Sequence, residues 1–196
     1  MNTEYEARTF INDIESVINQ LRDKSCVFKY ASFQKRYVYD LKPAEKGKWL
    51  RLRSDGYMTS LTYKEISSQK ISGTKEIEIV VSNFETTNEL LSKIGFTPRS
   101  YQENFRIHFI SNEATFDIDF WPLIQPYLEI ESYNSIKVKE LFRELGFDNS
   151  DLLTANVDKI FHDYYNIDLD SISKLVFNES EKEYLYSLER RLNDGK

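Results

Sequence analysis

Charged side chains recur at every second position in segment after segment of this sequence, and most of these pairs carry one sign. Arg51 and Arg53, Glu76 and Glu78, Asp117 and Asp119, and Glu129 and Glu131 are such pairs, and Glu4, Glu6 and Arg8 form a triplet with the same spacing. Side chains alternate across a β-strand, so residues i and i+2 share a face about 7 Å apart. The intervening positions are apolar: Leu50 and Leu52, Ile77 and Ile79, Phe116 and Ile118, Leu128 and Ile130. A period of two excludes helix for these segments and predicts a sheet with one apolar and one charged face. Lys64 beside Thr62 and Arg106 beside Asn104 extend the charged face to two further strands.

An ordinary antiparallel sheet with one face in water alternates in the same way. Such a wet face interleaves opposite charges with Ser, Thr, Gln and Lys, whereas here arginines and carboxylates come in same-sign pairs on separate strands. Like charges at this spacing repel, and something of opposite sign between them relieves the repulsion. A polyanion between the arginines and metal ions between the carboxylates would do so. The charged face holds eight carboxylates (Glu4, Glu6, Glu76, Glu78, Asp117, Asp119, Glu129, Glu131) and five cations (Arg8, Arg51, Arg53, Lys64, Arg106). Hard oxygen donors select Mg²⁺ or Mn²⁺ over zinc. Arginine is the natural bidentate partner of phosphate oxygens. With one cysteine, Cys26, and two histidines, His108 and His162, a structural zinc site of Cys and His is excluded. Cys26 reads as core and His162 as a surface residue.

The periodicities predict strands over 3–10, 27–41, 48–65 as a hairpin, 74–82, 100–110, 115–121 and 127–133. The hairpin is centred on Asp55-Gly56, the dipeptide of a two-residue type I′ turn. Helical spacing is expected at 11–23, 85–94 and 136–145, the last two closed by Gly95 and Gly146. Residues 151–196 read as helical throughout, interrupted at 161–170. The chain is thus expected to be an α+β domain over 1–150, with 151–196 as a helical extension packed on it or forming a dimer contact. Its 196 residues suit one domain with an appendage. A net charge of -6 argues against a nucleic-acid backbone as main partner, without excluding a small phosphate ligand. No run approaches a membrane span and the start lacks a secretory pattern, so cytoplasmic residence is expected, as monomer or homodimer.

The opening EYEAR resembles the ExExK signature of the CYTH, or triphosphate tunnel metalloenzyme, superfamily, with Arg8 where lysine is usual. The later segments are similar too, and come in the same order: Gln34 with Tyr39-Asp40, RLR at 51–53, TYK at 62–64, EIE at 76–78, a basic strand ending in Arg106, an aspartate at 119, and YLEIE at 127–131. The resemblance spans residues 3 to about 146 and implies an eight-stranded antiparallel closed β-barrel, a tunnel. It implies that Glu4, Glu6, Asp119, Glu129 and Glu131 hold two Mg²⁺ or Mn²⁺ ions, while Arg8, Arg51, Arg53, Lys64 and Arg106 bind the phosphates of ATP, inorganic triphosphate or a similar molecule. Arg8, Lys64, Glu76 and Glu78 are then the catalytic candidates, the two glutamates as positioners of a water or as salt-bridge partners of a tunnel arginine. Two departures stand out: arginine at position 8, and Asn104 where a lysine often precedes the arginine of that strand.

This resemblance implies three possible functions: hydrolysis of a terminal phosphoanhydride; an adenylyl cyclase reaction, in which a ribose 3′-hydroxyl replaces water; and noncatalytic binding of a nucleotide or polyphosphate, which Arg8 and Asn104 would suit. For a cyclase, Trp49, Tyr30 or Phe28 would supply base stacking at the tunnel mouth, although each is also a candidate core residue.

Overall fold

The computed structural model describes residues 2–68 and 70–194. Eight strands form a closed barrel: β1 (Asn2–Phe10), β2 (Val27–Asp40), β3 (Lys48–Ser54), β4 (Thr59–Ile66), β5 (Thr74–Val81), β6 (Pro98–Ile110), β7 (Ala114–Phe120) and β8 (Tyr127–Ser132). Their order is β2-β3-β4-β5-β1-β8-β7-β6, and antiparallel pairing of β6 with β2 closes the ring. Five helices lie outside it: α1 (Ile14–Asp23), α2 (Phe84–Lys93), α3 (Ser135–Glu144), α4 (Val157–Tyr165) and α5 (Glu179–Asp194).

The period of two determines which way each side chain points, and the apolar set points outward. Ala7, Ile107, Ile118, Leu128 and Ile130 of the barrel pack under Val17, Ile18 and Leu21 of α1, Val138, Leu141 and Phe142 of α3, and Leu185, Leu188 and Leu192 of α5. Cys26 lies in this core as expected. A second cluster puts Phe84 and Leu91 of α2 on Tyr39 and Leu52. A third gathers Trp121, Tyr127, Phe161, Leu169 and Leu175 beneath α4. The hydrophobic core therefore wraps the barrel and leaves its lumen to the charged face. The outer face of β5 departs from this plan, because Ile77 and Ile79 are exposed.

Several local readings are corrected. The hairpin loop is four residues, Asp55 to Met58, between the last register pair Ser54 and Thr59. Of the dipeptide only Gly56 has positive φ, +89°, because the Asp55 carboxylate accepts from the amides of Tyr57 and Met58 at 2.9 and 2.7 Å and widens the turn. Helix α1 begins at Ile14, capped by Asp13, rather than at 11. The segment 151–196 is not helical throughout. Between α4 and α5 a two-residue strand, β9 (Lys174–Leu175), pairs in parallel with Tyr101 and Gln102 of β6, beyond the reach of β7. Leu153 bridges Arg8 through two backbone hydrogen bonds of 2.7 and 2.8 Å. That bridge lies on a seam where β1 meets β5 only over Asn2 to Glu4, so the C-terminal segment has a place in the sheet after all. No described helix is long and apolar enough to cross a membrane.

Candidate functional site

Because the charged positions of each strand share the inward parity, the lumen collects residues that are far apart in sequence. A cavity of about 210 Å³ is lined by all twelve predicted site residues: Glu4, Glu6, Arg8, Arg51, Arg53, Lys64, Glu76, Glu78, Arg106, Asp119, Glu129 and Glu131. Arg36, Trp121, Tyr127 and Val157 complete the lining. Asp117 is not among the lining residues; it pairs with Arg106 at 2.6 Å and with the His108 ring at 2.5 Å.

The register sorts charge by wall. On β1 and β8, Glu6 faces Glu131 and Arg8 faces Glu129. On β2 and β3, Arg36 faces Arg53, with Arg51 two residues along. Between these walls Lys64 faces Glu76, and Arg106 faces Asp119. Arg8 pairs with Glu6 at 3.0 Å and with Glu129. Lys64 holds Glu4 at 3.0 Å and Glu76 at 3.2 Å. Arg106 grips Asp119 through two nitrogens, at 2.6 and 2.8 Å, and reaches Glu129 at 3.2 Å. The basic wall has less opposite charge: Glu78, at 3.5 Å from Arg51 and 3.7 Å from Arg53, is the only carboxylate within 4 Å of either among the described residues. Glu78 also accepts from Ser60 and Thr62 at 3.1 and 2.7 Å.

The imbalance perturbs protonation. Burial, followed by the adjacent Arg53, pulls Arg51 down to about 10. On the acidic wall, loss of hydration together with Glu4, Glu6 and Glu129 pushes the Glu131 carboxyl up to about 8, even though that residue opens to solvent at the rim. Burial also raises Glu4 and Glu6 against the opposing pull of Lys64 and Arg8. Glu129 goes the other way: burial disfavours its charge, but Arg8 and Arg106 hold it down at about 2. For Glu78, hydrogen bonds from Thr62 and Ser60 and the charges of Arg53 and Arg51 outweigh burial and lower its pKa. One wall thus carries positive charge without enough anion, and the other carries carboxylates without enough cation.

Among the described residues no three His, Cys, Asp or Glu groups converge as a preformed metal cage. Arg8 and Lys64 occupy the space between the acids instead. The donor chemistry of Glu4, Glu6 and Glu131, all carboxylate oxygen, fits a hard divalent cation, although Lys64 donates to both oxygens of Glu4 and Arg8 pairs with Glu6, so a metal would have to displace those contacts. Asp119 is the most heavily engaged of the acids, since Arg106 takes both its oxygens and Asn104 donates to one of them at 3.2 Å.

Of the aromatic candidates, Trp49 lines the mouth nearest α4 with Arg99, Asn156 and Asp158. Tyr30 stacks on His108 with ring centres 5.0 Å apart and lies 5.5 Å from the exposed Tyr57 of the hairpin loop. Phe28 packs edge-on to Phe109 in the outer core. His162 is exposed beside Asp163, as expected. Sequence reasoning missed Arg36, whose spacing from Gln34 on the inward parity of β2 was the available signal.

The CYTH domain family model matches residues 2–164. Among solved structures, the chain is similar to a Pyrococcus horikoshii OT3 protein at 22% identity and a TM-score of 0.68, covering 78% of this chain and 96% of that one. It is similar to a putative adenylate cyclase from Vibrio parahaemolyticus at 12% identity and TM-score 0.70, over 82% and 98% of the two chains. It is also similar to a putative adenylyl cyclase from Hippeastrum described as having a dominant triphosphatase activity, at 16% identity and TM-score 0.54, over 84% and 96%. These likenesses are of fold. No curated protein matches the sequence.

Proposed function

The chain belongs to the CYTH domain family, and we propose that it binds a triphosphate with Mg²⁺ or Mn²⁺ inside its barrel and hydrolyses the terminal phosphoanhydride. The observation that carries this reading is the division of one enclosed cavity into an arginine wall on β2 and β3 and a carboxylate wall on β1 and β8. Arg51, Arg53, Lys64 and Arg106 would bind nonbridging oxygens and spread the charge that builds on the transferred phosphoryl group. Glu4, Glu6 and Glu131 would hold the metal, with Glu129 and Asp119 behind them; a bound divalent ion would supply charge neutralisation and orientation of the attacking water. Water oxygen bonds to the terminal phosphorus as the anhydride P–O bond breaks, leaving a diphosphate and orthophosphate. Glu78, ionised and fixed by Ser60 and Thr62, would accept a hydrogen bond from that water, with Glu76 beside Lys64 as the neighbouring acceptor.

Trp49, an aromatic face at the mouth nearest α4, favours a nucleotide-using variant, in which a 3′-hydroxyl attacks and pyrophosphate leaves. Incubation with inorganic triphosphate and, separately, with ATP, each with Mn²⁺, tests both. Orthophosphate from either substrate supports hydrolysis. Cyclic AMP with pyrophosphate supports the cyclase, and the absence of any product with saturable binding means a binding module.

A further inference from the structure

The most anomalous charge in the molecule is Arg36. It is 7% exposed and makes no ion pair within 4 Å among the described residues. Its terminal nitrogen donates only to neutral amides, the Gln34 side chain at 3.4 Å and Asn104. Its Nε is buried with no partner. Its guanidinium lies over the Trp121 ring at 4.5 Å, and its neighbour across the sheet is another cation, Arg53. Burial, then Arg51 and Arg53, lowers its pKa well below the usual arginine value. A buried arginine is ordinarily kept by a carboxylate, because removing the ion from water costs several kcal/mol. This one has amides and an aromatic face, which orient a guanidinium without neutralising it. It borders both the central cavity and the smaller one toward Trp49 and α4.

We infer that Arg36 is a phosphate-binding residue of the lumen, positioned by Asn104 and Trp121 and left without a protein anion because a phosphate oxygen is its partner. The inference rests on the triphosphate reading and adds to it a group outside the family-like pattern. Asn104, fully buried, accepts from Arg36 while donating to Asp119, so it joins this guanidinium to the Arg106–Asp119 pair. Arg36 would then contact a phosphate at the level of Arg53, its neighbour across the sheet, and with Arg51 it borders both cavities.

The test measures binding of inorganic triphosphate by calorimetry, with thermal melting of each ligand-free protein. Losing a charge-assisted hydrogen bond weakens binding roughly ten- to hundredfold, and Arg36→Gln is expected to do so. The same substitution removes an uncompensated buried charge, so the ligand-free protein should melt higher, by roughly 2–4 °C for each kcal/mol recovered in a chain of this size. Adding Asn104→Lys to Arg36→Gln returns a cation to the same pocket and should restore affinity to within a fewfold of wild type. Wild-type affinity in Arg36→Gln overturns the inference, as does weakened binding with a lowered melting temperature and no restoration by Asn104→Lys, since those mark a structural arginine. Failure of the underlying reading looks different: the wild type binds no triphosphate, or Arg51→Gln with Arg53→Gln leaves binding intact.

Discussion

Arg8 offers the sharpest test of how charge is arranged in the lumen. Its side chain is almost wholly enclosed, with Glu6 at 3.0 Å, Glu129 in contact, and the Ala155 carbonyl accepting from it at 3.0 Å. Arg8→Met fills much of the same volume and leaves two carboxylates that are themselves largely buried. Removing one member of a buried ion pair costs about 3–5 kcal/mol, because the remaining charge has neither water nor partner. For a chain of 196 residues that corresponds to a melting temperature lower by roughly 6–20 °C. Differential scanning calorimetry without divalent ions should show this loss. Arg8→Lys should lose less, and millimolar Mn²⁺ should narrow the deficit of Arg8→Met by occupying the freed acidic wall. The control is Arg191→Met on α5, where an exposed pair with Glu15 should change stability by no more than about 0.5 kcal/mol. A melting temperature for Arg8→Met within about 2 °C of wild type, or no different from that control, would refute the reasoning.

The same geometry makes other outcomes testable. Glu6→Gln and Glu131→Gln should each abolish metal-dependent turnover with inorganic triphosphate, and excess chelator should do the same to the wild type; a colorimetric phosphate assay reads all three, and unchanged turnover in either variant counts against the metal assignment. Phe142→Ala opens a cavity where α3 meets the barrel, with the ring fully buried, and should cost about 3–5 kcal/mol in urea unfolding. A chain truncated after residue 150 loses the Leu153 bridge, β9 and α5, and should show rapid hydrogen exchange at the Arg8 amide, whose acceptor is the Leu153 carbonyl; protection of that amide equal to that of the full chain would mean that the bridge contributes nothing.

The lumen was legible because alternation is a local property: once a segment is known to be a strand, spacing alone assigns each residue to a face. Twelve residues from seven strands therefore meet in one cavity. Arg36 escaped the same reading because its i±2 neighbours are Gln34 and Val38, and the cation it faces, Arg53, lies on another strand. The hairpin loop was misread because a side chain, Asp55, decided its length. Alternation also placed Ile77 and Ile79 outward correctly without revealing that they stay exposed there. A two-residue strand and a one-residue bridge have no period at all, so β9 and Leu153 left no mark in the sequence.

The bridge from Leu153 to β1 has a consequence in time. The N-terminal strand is made first, yet part of its edge finds its partner only when a residue about 145 positions later has been synthesised. Pairings this distant form slowly, and an unpaired strand edge is a template for association with other chains. The nascent chain therefore carries an exposed, partly charged β1 edge at least until residue 153 has been made. Glu4, Glu6 and Arg8, which later line the lumen, put on that strand the kind of charge that disfavours edge-to-edge association.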